Sequence, residues 1–150
     1  MCDFFSVNAD TPPYTPYIPP TVSNQADIDR LFAGCTSITG DIIIAANYTG
    51  SFFLSNVTSI SDGIGMQIYP DGSYPPVPSL TSIEVRDLTS ISAMNIFNAS
   101  NLTSISFSDL STAQDIDIQA LSGLTLNFPS LQNMSGFLQI AGNISRYACK

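Results

Sequence analysis

SLTSIEVRDLTSISAMNIFNAS (79–100), NLTSISFSDLSTAQDIDIQALS (101–122) and GLTLNFPSLQNMSGFLQIAGNI (123–144) align as three successive lines of one 22-residue repeat. Apolar residues fall into columns: Leu80/Leu102/Leu124, Ile83/Ile105/Leu126, Val85/Phe107/Phe128, Leu88/Leu110/Leu131, Ile91/Ala113/Met134 and Ile96/Ile118/Ile140. The third line drops one residue before Leu126 and regains one before Leu138. A fixed period of this length marks a stacked repeat, whose units bury their apolar faces against their neighbours. Within each line apolar residues alternate with polar ones, as in Ile83-Glu84-Val85, Ile105-Ser106-Phe107, Ile116-Asp117-Ile118 and Leu138-Gln139-Ile140. That period of two predicts half-buried strands, about two per line with a corner between them. Stacked in register, the lines form parallel sheets with rungs roughly 4.8 Å apart. An antiparallel sandwich also uses short alternating strands. It calls for hairpin turns, and the chain has only Asp62-Gly63 and Asp71-Gly72 and no Asn-Gly. The expected fold class is therefore all-β, a parallel β-helix or leucine-rich solenoid.

Upstream of the repeat, residues 1–22 form an N-terminal arm, Pro-rich over 6–22 (SVNADTPPYTPYIPPTV) and expected to be extended. A linker or strand-capping arm is the simpler reading of it; a ligand for proline-recognising domains is the other. Residues 23–34 (SNQADIDRLFAG) predict a cap helix. Ser23 or Asn24 caps its start, Asp27 and Asp29 favour the positive end of the dipole, and Gly34 ends it. The repeat solenoid is expected over 35–148, with Ile42-Ile43-Ile44 as a buried strand of the first rung. Residues 51–78 make a longer rung carrying an inserted loop at 69–78 (YPDGSYPPVP), with turn chemistry at Pro70-Asp71-Gly72. Insertions project from one face of a solenoid, so Tyr69, Asp71 and Tyr74 are the candidate binding residues. An ordinary variable corner is the alternative reading of the same loop.

At 150 residues the chain is one domain, large enough for a core. Charged residues are only 11%, and Ser, Thr and Asn fill the polar faces instead. The net charge is −8, and Arg30, Arg86, Arg146 and Lys150 are the only basic residues. Counterion release from a phosphate backbone needs clustered Lys and Arg, so nucleic acid is excluded as a partner, and so is an anionic membrane surface. Met1–Phe5 lacks the basic and apolar regions of a signal peptide, and no apolar run approaches the length of a membrane span. No direct membrane insertion by this chain is expected.

Six Asn-X-Ser/Thr sequons occur, at Asn47, Asn56, Asn98, Asn101, Asn133 and Asn143. They are candidate N-glycosylation sites; the competing reading is that Asn merely suits the turns. With three cysteines, they favour a secreted or surface protein. Four to five rungs would separate Cys35 from Cys149 by roughly 15–20 Å, too far for a bond that needs Cα atoms within about 7 Å. Cys2–Cys35 is therefore the expected disulfide, tying the arm over the cap helix. Cys149 is left free or paired with a residue outside this chain.

The stretch GCTSITGDIIIAANYTGSFFLSNVTSISDGI (34–64), preceded by the helix candidate, resembles the receptor L-domain-like glycoproteins of fungal cell walls. The matching features are Gly34-Cys35-Thr36, Ile38-Thr39-Gly40-Asp41-Ile42 and the Leu/Val-Thr-Ser-Ile rungs, over about residues 22–145. These are sporulation-specific and extracellular-mutant type proteins, usually GPI-anchored. The resemblance implies a right-handed β-helix of receptor L-domain type, secretion, N-glycosylation and a non-catalytic role in cell-wall organisation. Its partners would be cell-wall polysaccharide or surface proteins, and it brings no catalytic residues to carry over.

The residues agree on the chemistry they lack. There is no histidine, no close cysteine pair and no phosphate-binding glycine loop, so no cofactor and no metal is expected. The enzymatic alternative is a polysaccharide-cleaving β-helix with paired carboxylates, Asp115/Asp117 on one strand or Asp87/Asp109 one rung apart. Each of Asp87 and Asp109 precedes Leu in an equivalent step, which a repeat corner explains without catalysis. A second alternative is ice binding through the Thr81/Thr103/Thr125 column, whose hydroxyls would otherwise close corner hydrogen bonds.

Overall fold

In the computed structural model, which describes residues 1–3 and 18–149, the repeat lines stack as parallel rungs of a β-solenoid. The first full rung holds β3 (Ser37–Thr39), β4 (Ile42–Ile44) and β5 (Gly50–Leu54). The next holds β6 (Ser59–Met66) and β7 (Leu80–Val85), and the third β8 (Ser90–Ile96) and β9 (Ser104–Phe107). Then β10 (Thr112–Phe128) crosses both faces as one strand, and β11 (Asn133–Met134) and β12 (Leu138–Cys149) make the last rung.

Every pairing is parallel, and the registers reproduce the columns read from sequence. Ile83 lies beside Ile105 and Ile105 beside Leu126. Ile91, Ala113 and Met134 align, as do Ile96, Ile118 and Ile140. Ile60 pairs with Ile91, an offset of 31 where Ile38 and Ile60 differ by 22, so the second rung carries nine extra residues. Those residues are the inserted loop.

The inward columns form one core in which Ile38, Phe52, Ile64, Ile83, Leu88, Phe107 and Phe128 are fully buried. Burial of each such side chain stabilises the fold by about 1.5–3 kcal/mol. Phe107 stacks on Phe128 with ring centroids 5.7 Å apart, which extends an aromatic ladder across two rungs. The outward columns are small hydroxyl residues: Ser37/Ser59/Ser90/Thr112 on one face and Ser51/Ser82/Ser104/Thr125 on the other. They satisfy the solvent side without charge, which accounts for the low charged content.

The N-terminal end is closed. Helix α1 spans Gln25–Leu31, shorter than the 23–34 expected, with Asn24 as its N-cap. The Asn24 side chain accepts from the Asp27 N–H at 3.2 Å, and the Asp27 carboxylate accepts from the Ser23 N–H at 2.9 Å. The Ser23 N–H, then the Arg30 guanidinium, hold the Asp27 carboxyl below its usual range. The helix ends early because Phe32 turns inward and is buried, so its backbone leaves helical geometry. Gln25 does more than extend the helix. Its side-chain amide donates to the Phe53 carbonyl and accepts from the Phe53 N–H, each at 2.8 Å, standing in for a neighbouring strand at the edge of β5.

The ends of the proline-rich arm are part of the solenoid, which the sequence reading placed only from residue 35. Strand β1 (Cys2–Asp3) pairs with β3, and β2 (Thr21–Val22) pairs with β4. Val22 is buried beside Ile44. Two short strands suffice because an end rung needs only to cover the edge beneath it. The proline-ligand reading spans residues 6–22, of which 6–17 lie outside the described residues. A disulfide joins Cys2 to Cys35, whose Cα atoms lie 5.5 Å apart, and so fastens β1 to the start of the first full rung. Cys149 closes β12, and its side chain is outside the described atoms.

Candidate functional site

The insertion leaves the stack after Met66 and returns at Leu80. Its tip is a turn in which the Gly72 N–H donates to the Tyr69 carbonyl and the Tyr69 N–H to the Ser73 carbonyl, both at 2.9 Å. The Asp71 carboxylate accepts from the Ser73 hydroxyl at 2.6 Å and from its N–H at 2.9 Å. These two bonds hold the Asp71 carboxyl below its usual range. Asp71 is therefore committed to shaping the turn.

Tyr74 turns toward the stack. It is half-buried and packs on Phe97 with ring centroids 4.3 Å apart. Val77 is fully buried, and its N–H donates to the Asn98 carbonyl. The Asn98 amide donates to the Tyr74 carbonyl and the Asn101 amide to the Pro78 carbonyl, both at 2.8 Å. The loop is thus clamped at three points to the corner of the next rung. Of the three expected contact residues only Tyr69 presents an apolar body to solvent, at 45% exposure, and Ile68 beside it reaches 56%. Sequence reasoning passed over Ile68 because it continues the Ile64, Met66 alternation. The available signal was Pro70, which ends the strand pattern just beyond it.

All six sequon asparagines are exposed. Asn56 and Asn98 adopt positive φ, 65° and 55°, as does Asp87 at 66°. Asn and Asp tolerate this conformation, so these corners select them for backbone reasons as well. Asn47, Asn133 and Asn143 lie at other exposed positions of the rungs.

Two of the four carboxylates considered for catalysis are bound into the frame. Asp87 accepts from the Asn56 N–H at 2.9 Å, and Asp115 from the Phe137 N–H at 3.0 Å. Asp117 stands between Asn95 and Gln139 in its column and buries one oxygen without a hydrogen-bond partner. Asp109 is exposed at its corner. In the threonine column the hydroxyls of the exposed Thr81 and Thr103 have protein partners, that of Thr81 being the Ser51 hydroxyl at 3.2 Å. The Thr103 hydroxyl donates to the Thr81 carbonyl at 3.1 Å, and a second ladder at the other corner runs from Thr58 to Thr36, Thr89 to Thr58 and Ser111 to Thr89. Those hydroxyls splice consecutive rungs together. Among the described residues no group of three or more carboxylate or cysteine side chains is placed to hold a metal ion.

The sequence model of the receptor L domain family matches residues 34–126, more than half of the chain. The chain belongs to the receptor L domain family. The match opens at Gly34, where the helix meets Cys35, and runs through the rungs that carry the insertion. A search of the curated proteins found no match, and a search of the solved structures found none either. Receptor L domains are ligand-binding modules without catalytic machinery, and the two-ladder solenoid with one short helix is the architecture of this one. No helix among the described residues is long and apolar enough to cross a membrane.

Proposed function

We propose that this receptor L domain is an extracellular, N-glycosylated module of a cell wall or cell surface that acts by binding polysaccharide or surface proteins. The observation that carries this reading is the exposure of all six sequon asparagines on a disulfide-fastened solenoid. A disulfide needs an oxidising compartment, and sequons in that compartment meet the glycosylation machinery. The contact surface is the tip of the insertion, led by Tyr69 and Ile68. Rigid clamping by Asn98 and Asn101 pre-organises that tip, which lowers the entropy lost on binding.

Secretion of the chain behind an added signal, followed by intact mass before and after endoglycosidase treatment without reduction, tests the glycoprotein reading. Loss of several glycan masses, with Cys2 and Cys35 in one disulfide-linked peptide, is expected. An unmodified chain would remove the glycoprotein reading. For the contact surface, the Ile68→Ser/Tyr69→Ser double variant is expected to keep its thermal midpoint and lose binding to isolated wall material. Unchanged binding would end the assignment to the tip.

A further inference from the structure

Helix α1 does not lie flush against β5. Between them runs a groove of about 300 Å³, lined by Ile28, Asp29 and Phe32 on the helix side and by Phe53, Ser55 and Asn56 on the strand side. That volume sits at the small end of the roughly 300–1,000 Å³ typical of small-molecule sites.

The floor of the groove is apolar, because Ile28 and Phe32 are buried core residues. Phe53 is only part-buried. The Arg86 guanidinium lies over its ring, 5.1 Å from the centroid, and Gln25 binds both its N–H and its carbonyl. The ring therefore stands at a fixed place in the wall. The rim is polar, formed by the exposed Asp29 and by Ser55. An apolar floor and an aromatic wall under a carboxylate suit a ligand with one apolar face and several hydroxyl or amide donors.

Asn56 makes the occupant specific. In Phe53-Leu54-Ser55-Asn56-Val57-Thr58 the sequon asparagine follows the ring by three residues, and the corner brings both to the same groove. Asn56 is locked there: its φ is 65°, and its N–H donates to the Asp87 carboxylate at 2.9 Å. Its side-chain amide nitrogen, the atom to which a glycan is joined, donates to the Ser55 hydroxyl on the rim at 3.2 Å. Asn98 and Asn101 instead spend that nitrogen on carbonyls of the insertion. A sugar on Asn56 starts at the groove wall from a fixed attachment point, so seating it costs little entropy.

We propose that the groove between α1 and β5 seats the first N-acetylglucosamine of a glycan on Asn56, which makes that sugar a structural part of the N-terminal cap. The C–H face of the sugar packs on Phe53, and its hydroxyl and acetamide groups donate to Asp29 and Ser55. A group held by the folded chain and not by the unfolded one stabilises the fold. The inference rests on the glycoprotein reading, since Asn56 must be modified, and goes beyond it by giving one glycan a place within the fold.

The test uses the full disulfide-intact chain, secreted behind an added signal. The folded protein is treated with peptide-N-glycosidase, and release at each sequon is followed by peptide mass. Release at Asn56 is expected to be at least about tenfold slower than at the other modified sequons, and equal to them once the chain is unfolded. In a second sample the glycans are trimmed to an isotope-labelled first sugar. A nuclear Overhauser contact is expected between the acetyl methyl of the sugar on Asn56 and the Phe53 ring. Phe53→Leu is expected to bring release at Asn56 up to the rate of the other sites. Glycans elsewhere with Asn56 bare would overturn the proposal and leave the glycoprotein reading standing. An Asn56 glycan released as fast as the others, or one without contact to Phe53, would do the same. A chain bare at all six sequons would overturn both. Should Phe53→Leu not fold, the contact in the unaltered chain decides alone.

Discussion

Replacing Gly63 by Ala tests how closely the rungs approach one another. Gly63 sits in β6 opposite Ala93 of β8. A Cβ added there would lie 2.4 Å from the Ala93 carbonyl oxygen and 3.0 Å from its carbonyl carbon. A carbon and an oxygen need about 3.3 Å, so the two rungs would have to part locally by about 0.9 Å. Neighbouring ladder bonds of about 2.9 Å would stretch beyond hydrogen-bonding range. Losing one or two of them at about 1 kcal/mol each, together with the overpacking, gives a destabilisation of about 3 kcal/mol. For a domain of this size that is a fall in Tm of about 6–12 °C. Gly65 is the control. It lies two residues along the same strand, and an added Cβ would meet only Ile43 Cδ1 at 3.9 Å, an ordinary contact. Gly65→Ala is expected to be neutral or to stabilise by about 0.4–1 kcal/mol, because it narrows the unfolded ensemble. Both variants are compared by thermal and urea unfolding with the disulfide intact. Equal effects, or a cost below about 1 kcal/mol for Gly63→Ala, would refute the close rung contact.

Other outcomes follow from single side chains. Gln25→Ala removes both bonds to the Phe53 backbone and is expected to cost about 1–2 kcal/mol and to speed hydrogen exchange at the Phe53 amide. Unchanged exchange there would show that the edge of β5 does not depend on Gln25. Phe107→Ala opens a cavity between Val85 and Phe128 and is expected to cost about 3–5 kcal/mol in urea unfolding. The Tyr48 hydroxyl donates to the Ser51 carbonyl, and burial, then the Asp29 and Asp27 carboxylates, push its pKa up to about 12. Its folded-state pKa lies above the unfolded value near 10, so its stabilising effect is complete below pH 10 and is lost as pH rises toward 12. Absorbance titration is expected to show a tyrosine ionising near pH 12 in the wild type and none there in Tyr48→Phe. Asn98→Ala breaks the clamp on the Tyr74 carbonyl and is expected to raise proteolysis within the 69–78 loop several-fold while the rungs stay protected.

The repeat was legible because parallel stacking converts sequence period into spatial register. Once the lines align, Ile96, Ile118 and Ile140 must occupy one column, and alternation then states which side of the strand is buried. The same logic located the insertion, since the rung from Ile60 to Ile91 is nine residues longer than its neighbours. What remained hidden depends on contacts between residues with no fixed spacing. Gln25 meets Phe53 across 28 residues, and Asn98 meets Tyr74 across 24. Neither partner belongs to a pattern that repeats. Tyr69 and Tyr74 read alike in the sequence as loop aromatics. Their opposite fates follow from Phe97, which offers Tyr74 a surface to pack against.

By itself the sequence determined the solenoid, its inward columns and the low-charge hydroxyl faces, because each of these is a property of period or composition. Tertiary structure decided which asparagines serve as clamps, which loop residues meet solvent, and that the ends of the arm join the first rungs. Those outcomes depend on which groups remain without a partner after the rungs have stacked, and no local pattern in the chain encodes that remainder.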